Sequence, residues 1–161
     1  MERHPSPEKH GLRSARFRAV GDLMIHRKQL EIARQPDGTY DFHPQFALIA
    51  EALGRADYTI ANLETTIGKF RDVPYSGFPR FNTPEALLDA LRDAGVDFLS
   101  LANNHILDRF FEGLVTTVDR VEARGFDFLR REPHAGGAGA ARGGDGQRYP
   151  RGHAVLHGIY Q

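Results

Sequence analysis

Apolar runs and helical periods alternate along this chain, and that alternation predicts an α/β domain with the order β-α-β-α-β-α-β. Two further observations point the same way. The short apolar runs end in polar clusters, at Gly21-Asp22, Asn62-Leu63-Glu64 and Asn103-Asn104-His105. Glycines stand just past two of the helical stretches, at Gly95 and Gly125. Parallel strands joined by right-handed crossovers would bring those polar clusters to one edge of the sheet, where open α/β sheets bind ligands.

Each element has its own signal. Residues 16–22 (RFRAVGD) alternate and then close on Gly-Asp, which predicts a strand with a carboxylate at its tip. Phe46, Leu48, Ile49, Ala52 and Leu53 recur at helical spacing within 42–53. Residues 57–63 (DYTIANL) form a short run that reads as a buried strand. Residues 74–83 (PYSGFPRFNT) are a loop rich in proline, glycine and aromatics. A helix follows, with Thr83 expected as its N-cap and Pro84 at its first position, running to about Asp93. Residues 96–102 (VDFLSLA) predict a third strand. Leu114, Val118 and Val121 mark a helix over 111–123, and residues 126–129 begin a fourth strand.

At 161 residues the chain has the length of one domain with a real core. Lysine plus arginine and aspartate plus glutamate number 21 each, so bulk charge does not point to nucleic acid or an anionic membrane surface. The absence of cysteine excludes disulfides, thiolate metal sites and a cysteine nucleophile. Residues 1–14 are polar with two prolines and are expected to be disordered. They hold no apolar run, so neither a signal peptide nor a membrane span is expected there; either the chain as given is cytoplasmic, or an upstream targeting segment is missing from this reading frame.

The character changes beyond residue 129. Eight of the 17 glycines lie in 130–161, and five basic residues there face two acidic ones. Composition alone suggests a flexible Gly/Ala tail.

The polar clusters carry the chemistry. Taken singly, Asp22 is a turn residue or cap, His26 a surface histidine, Glu64 a cap, Asn103 and Asn104 turn formers, and His105 a packed histidine. Taken together, they are hard oxygen and nitrogen donors that suit Mn, Fe, Zn or Mg. Such a centre polarises a phosphoryl or carbonyl oxygen and supplies hydroxide near neutral pH. His105 is placed to donate a proton to a leaving oxygen. Arg80, in the aromatic loop, suits bidentate binding of an anion.

Four stretches, in order, resemble the CapA family of capsule and poly-γ-glutamate synthesis proteins. They are GDLMIH (21–26), ANLETT (61–66), PRFNTPEALLDALRDAGVDFLSLANNHILD (79–108) and GLVTTVDRVEARGFDF (113–128). The family is similar to calcineurin-like metallophosphoesterases, whose pattern is Asp-x-His, Gly-Asp and Gly-Asn-His. The resemblance implies that fold over residues 15–129, as its N-terminal part only. It implies a divalent-metal site in which Asp22 matches the first-motif ligand and His26 matches at a wider spacing. Asn62 and Glu64 stand at the second motif, Asn104 at the third, and His105 beside it as the catalytic acid. Arg80 and Asn103 are the implied substrate contacts. The implied role is synthesis or export of an anionic surface polymer through a hydrolase-like site, with capsule-synthesis membrane proteins as partners and no nucleic acid. A small calcineurin-like metallophosphoesterase and a non-catalytic scaffold of a capsule-assembly complex are the alternatives. Intact members are often membrane-anchored and extracytoplasmic.

Such domains are about twice this size and continue through an Asn-Gly hairpin and a Ser-Tyr-Thr segment. Residues 147–161 (QRYPRGHAVLHGIYQ), back-translated with permitted codons and read one base later, give Asn-Gly-Ile-Arg-Ala-Val-Met-Pro-Ser-Tyr-Thr-Gly-Tyr-Thr-Asn. A frameshift between about Phe128 and His134 is therefore expected.

Overall fold

The computed structural model describes residues 14–70 and 73–128. The expectations for residues 1–13 and for 130–161, the expected frameshift included, lie outside the described residues. Within them the protein is α/β, with four parallel strands and four helices. The strands are β1 (Phe17–Asp22), β2 (Tyr58–Asn62), β3 (Phe98–Ser100) and β4 (Asp127–Phe128). The helices are α1 (Arg27–Ala33), α2 (His43–Gly54), α3 (Ala86–Asp93) and α4 (Phe110–Ala123).

Two corrections follow. Helix α1 was not anticipated, so the first crossover carries two helices and the order is β-α-α-β-α-β-α-β. Its seven residues bury only Leu30 and Ala33, too few apolar positions to show a period. Thr83 is not an N-cap either. Helix α3 begins two residues past Pro84, with Glu85 in the cap position. The Thr83 hydroxyl is instead 2.8 Å from that of Thr65, and both threonines are fully buried. Thr83 is pulled inward because its backbone bridges Ile67. Pairing with a distant segment won over the local cap.

The strands pair in sequence order, β1-β2-β3-β4, all parallel. With right-handed crossovers, that order carries every connection over the same face of the sheet. Burial agrees. On one face Thr59, Ala61 and Leu99 are closed off, at 0 to 1% exposure, beneath Leu53, Leu87, Leu88, Leu91 and Val121. The register places Phe17, Ala19, Tyr58, Ile60 and Phe98 together on the other face. There Phe17 is 72% exposed, Ala19 is exposed, and Tyr58, Ile60 and Phe98 are half-buried. Parallel sheets ordinarily bury both faces; among the described residues this one is covered by helices on one.

Helix α2 follows the predicted period only in part. Leu53 is buried, but Leu48 is 98% exposed and Ile49 is exposed. Helices α3 and α4 close on Gly95 and Gly125, whose φ values of 92° and 69° lie in the left-handed region that favours glycine. At Gly95 an added Cβ would also come within 2.9 Å of the Gly54 Cα. The chain turns there because two glycine backbones can touch.

Candidate functional site

The carboxyl ends of β1, β2 and β3 carry the three polar clusters, and side-chain hydrogen bonds tie most of their members together. The order of events starts in β1. Ala19 pairs with Ile60, yet the next pair is Asp22 with Asn62. Three steps on β1 therefore match two on β2, which is a bulge at Val20-Gly21. The extra residue brings Asp22, rather than Gly21, opposite Asn62. A glycine inside a strand pattern is the sequence signal for such a bulge.

Asn62 is the centre of the cluster. Its Nδ2 donates to Asp22 Oδ1 and to Glu64 Oε2, each at 2.8 Å. Its Oδ1 accepts from Asn103 Nδ2 at 3.0 Å. The same Asn103 nitrogen donates to the Leu63 carbonyl at 2.9 Å, and Asn103 Oδ1 accepts the His105 backbone N–H at 3.1 Å. Two carboxylates thus converge on one amide nitrogen, which supplies both with the hydrogens that a cation would replace.

His105 is anchored on its other side. Its Nδ1 lies 2.8 Å from Asp108 Oδ2, and both side chains are only 12 to 13% exposed. The same carboxylate oxygen accepts the Phe81 backbone N–H at 2.6 Å. The Phe81 ring, fully buried, stands between two histidines. It meets His105 edge-on at 4.7 Å and His26 edge-on at 5.2 Å between ring centres. Phe81 and Asp108 are members of this site that sequence reasoning missed. Asp108 follows His105 by three residues in a turn, and that spacing was the available signal.

Loop 74–82 is fastened to the start of α4. Arg109 Nη2 donates to Ser76 Oγ at 2.6 Å and to the Arg80 carbonyl at 3.0 Å. Ser76 Oγ also donates to the Arg80 carbonyl at 2.7 Å. Burial pushes the Arg109 guanidinium below the usual arginine range, against the neighbouring Asp108 charge. Arg80 itself is exposed, with its guanidinium 5.7 Å from the centre of the Phe110 ring. Phe110 takes a φ of 56°, a conformation costing a bulky side chain about 1–2 kcal/mol.

The predicted residues therefore divide. Asp22, Asn62, Glu64, Asn103 and His105 are linked into one network. His26 begins α1, where its backbone N–H donates to Gln29 Oε1 at 2.8 Å, and it approaches the network only through the Phe81 ring. Asn104 is exposed in the turn before α4. Among the described residues, no group of three His, Asp or Glu side chains is placed to hold a metal ion. The donor chemistry at Asp22 and Glu64 nevertheless suits a hard divalent cation, because two carboxylates already face a shared positive dipole.

A parallel α/β sheet with an Asp-Asn-Glu corner and an Asp-paired histidine at its carboxyl edge defines the class of this protein. The profile described as Bacterial capsule synthesis protein PGA_cap matches residues 16–132. The chain belongs to that family. It is also similar to two uncharacterized proteins of Sinorhizobium fredii (strain NBRC 101917 / NGR234), y4sH and y4uA. It is 33% identical to each over 105 residues, covering 62% of this chain and 21% of the relative. The chain thus spans about a fifth of the length of the curated relatives it matches. Among the described residues no helix is long and apolar enough to cross a membrane.

Proposed function

We propose that this chain carries the N-terminal part of a metal-dependent, hydrolase-like domain that acts in the synthesis or export of an anionic capsule polymer. The observation that supports it is the convergence of Asp22 and Glu64 on Asn62, with His105 linked to the same amide network through Asn103. Asp22 and Glu64 would hold a divalent cation (Mn, Fe, Zn or Mg), with Asn62, Asn104 and His26 as the further donors. When bound, the cation would polarise a phosphoryl or carbonyl oxygen. His105 would give a proton to the leaving oxygen, and Arg80 and Asn103 would bind the anionic polymer or phosphoester. The calcineurin-like phosphoesterase arrangement is part of this proposal, and so are capsule-synthesis membrane proteins as partners.

The second reading is a non-catalytic binding module of a capsule-assembly complex. Calorimetric titration with Mn²⁺, with bis(p-nitrophenyl) phosphate as the turnover probe, separates the two. We expect Mn²⁺ binding and Mn²⁺-dependent turnover in the parent, and loss of both in Asp22→Ala. Equal Mn²⁺ uptake by parent and variant would remove Asp22 as a ligand. Uptake without turnover would leave the binding module.

A further inference from the structure

We infer that Asp108 is a positioning residue, which fixes the proton of His105 on Nδ1 and pins the aromatic loop with the same oxygen. The inference deepens the reading of His105 as the proton donor of the site and rests on it for its purpose, though not for its test.

Asp108 Oδ2 already accepts the Phe81 N–H at 2.6 Å, so that oxygen serves as an acceptor. An ionised carboxylate accepts only. The His105 Nδ1 facing it at 2.8 Å must then be the donor. A neutral imidazole carries one N–H, so the Nε2 of His105 keeps its lone pair, or carries the second proton in the cation. Either way Nε2 is the nitrogen that exchanges a proton with a substrate. The backbone of His105 is held independently by Asn103 Oδ1, which is itself joined to Asn62 and so to the two carboxylates. The residue is thus held at its backbone and at Nδ1 of its ring.

The second bond extends the effect to loop 74–82. Phe81 packs edge-on against His105 and His26, and its own N–H is the group that Asp108 holds. Arg109, the next residue, holds Ser76 and the Arg80 carbonyl of the same loop. Two consecutive side chains therefore fasten the wall of the site that carries Arg80.

Long-range ¹H–¹⁵N correlation on the ¹⁵N-labelled full chain, taken with His105 neutral, tests the assignment. The parent should show a protonated Nδ1 and a bare Nε2 at His105. In Asp108→Asn, the amide oxygen that accepts from Phe81 also faces Nδ1, so the ring proton should stay on Nδ1. In Asp108→Ala, Nδ1 loses its acceptor, so the preference for Nδ1–H should be lost, and the Phe81 amide should lose its protection from hydrogen exchange. A parent His105 protonated on Nε2 overturns the inference even if neither variant folds. So does an Asp108→Ala variant whose tautomer equals the parent's. The readout needs no turnover. A parent with the expected tautomer and no hydrolysis would sink the hydrolase reading and leave Asp108's role standing.

Discussion

Asn103 donates through one nitrogen to the side chain of Asn62 at 3.0 Å and to the Leu63 carbonyl at 2.9 Å. This contact joins the end of β2 to the turn after β3, and it decides which substitutions the site tolerates. Asn103→Ala leaves two half-buried acceptors without a donor. A loss of about 1–3 kcal/mol in urea unfolding is expected. Asn103→Asp should cost more, because a carboxylate offers acceptors only and would face the Asn62 and Leu63 oxygens.

Gly77 offers a steric test. It is buried, and an added Cβ would lie 2.8 Å from both the Arg27 backbone nitrogen and the His26 Cα. Gly77→Ala should push the aromatic loop off α1 and cost about 1–3 kcal/mol. Gly21→Ala is the control, since nothing lies within 4 Å of a Cβ there. Thermal unfolding of the two variants side by side should show a clear loss only for Gly77→Ala.

His43 predicts a pH dependence. Its Nδ1 is 2.7 Å from Asp41 Oδ1 and its Nε2 is 2.9 Å from Asp93 Oδ2, so both nitrogens face carboxylates. The hydrogen bond to Asp41, then that to Asp93, raises the imidazole above its ordinary range. The stabilisation is fully present below the unfolded value, near 6.5, and is lost as pH rises through the raised folded value. The same hydrogen bond holds Asp41 below the usual carboxylate range, so that share fades only as the solution turns strongly acidic. The melting-temperature gap between the parent and His43→Gln should shrink from pH 6 towards pH 9. The group is exposed, so the gap should be small and reduced by salt.

The open face of the sheet predicts self-association. Phe17, Ile60 and Phe98 lie on it without a covering layer among the described residues. Light scattering of the isolated chain should rise with concentration. Phe17→Lys, on the edge strand, should lower it without lowering the melting temperature. Unchanged scattering in that variant would place the association elsewhere.

The proposed frameshift is checked in the DNA. Sequencing across codons 128–161 should reveal the Ser-Tyr-Thr segment in the next frame. An intact gene in the present frame, with strong hydrogen-exchange protection across Ala154–Tyr160, would restore the tail as selected structure.

Much of this architecture was legible in the sequence, for reasons specific to each part. The four strands were found because three of them carry apolar runs and end in polar clusters. Helix α3 was found because Pro84 stands just before it and Gly95 just past it, although the cap falls at Glu85 and not at Thr83. The strand-end location of Asp22, Asn62 and Glu64 followed from parallel order alone. Three things were hidden. The bulge that aims Asp22 depends on pairing between strands 40 residues apart. The Thr65–Thr83 contact competes with a local cap and wins through burial. The spacing of three hints at the Asp108–His105 pair, but the backbone N–H of Phe81 that shares its oxygen comes from 27 residues away, and no periodicity records such a meeting.

The strand order has a consequence for how the chain is made. Each strand pairs with the one synthesised just before it, and none waits for a partner still inside the ribosome. Domains fold as units while translation proceeds at about 5–20 residues per second. Here Asp22, Asn62 and Glu64 all precede β3 in the chain, so every segment that carries them is synthesised before β4. The corner of the candidate site can therefore assemble during synthesis, before β4 emerges.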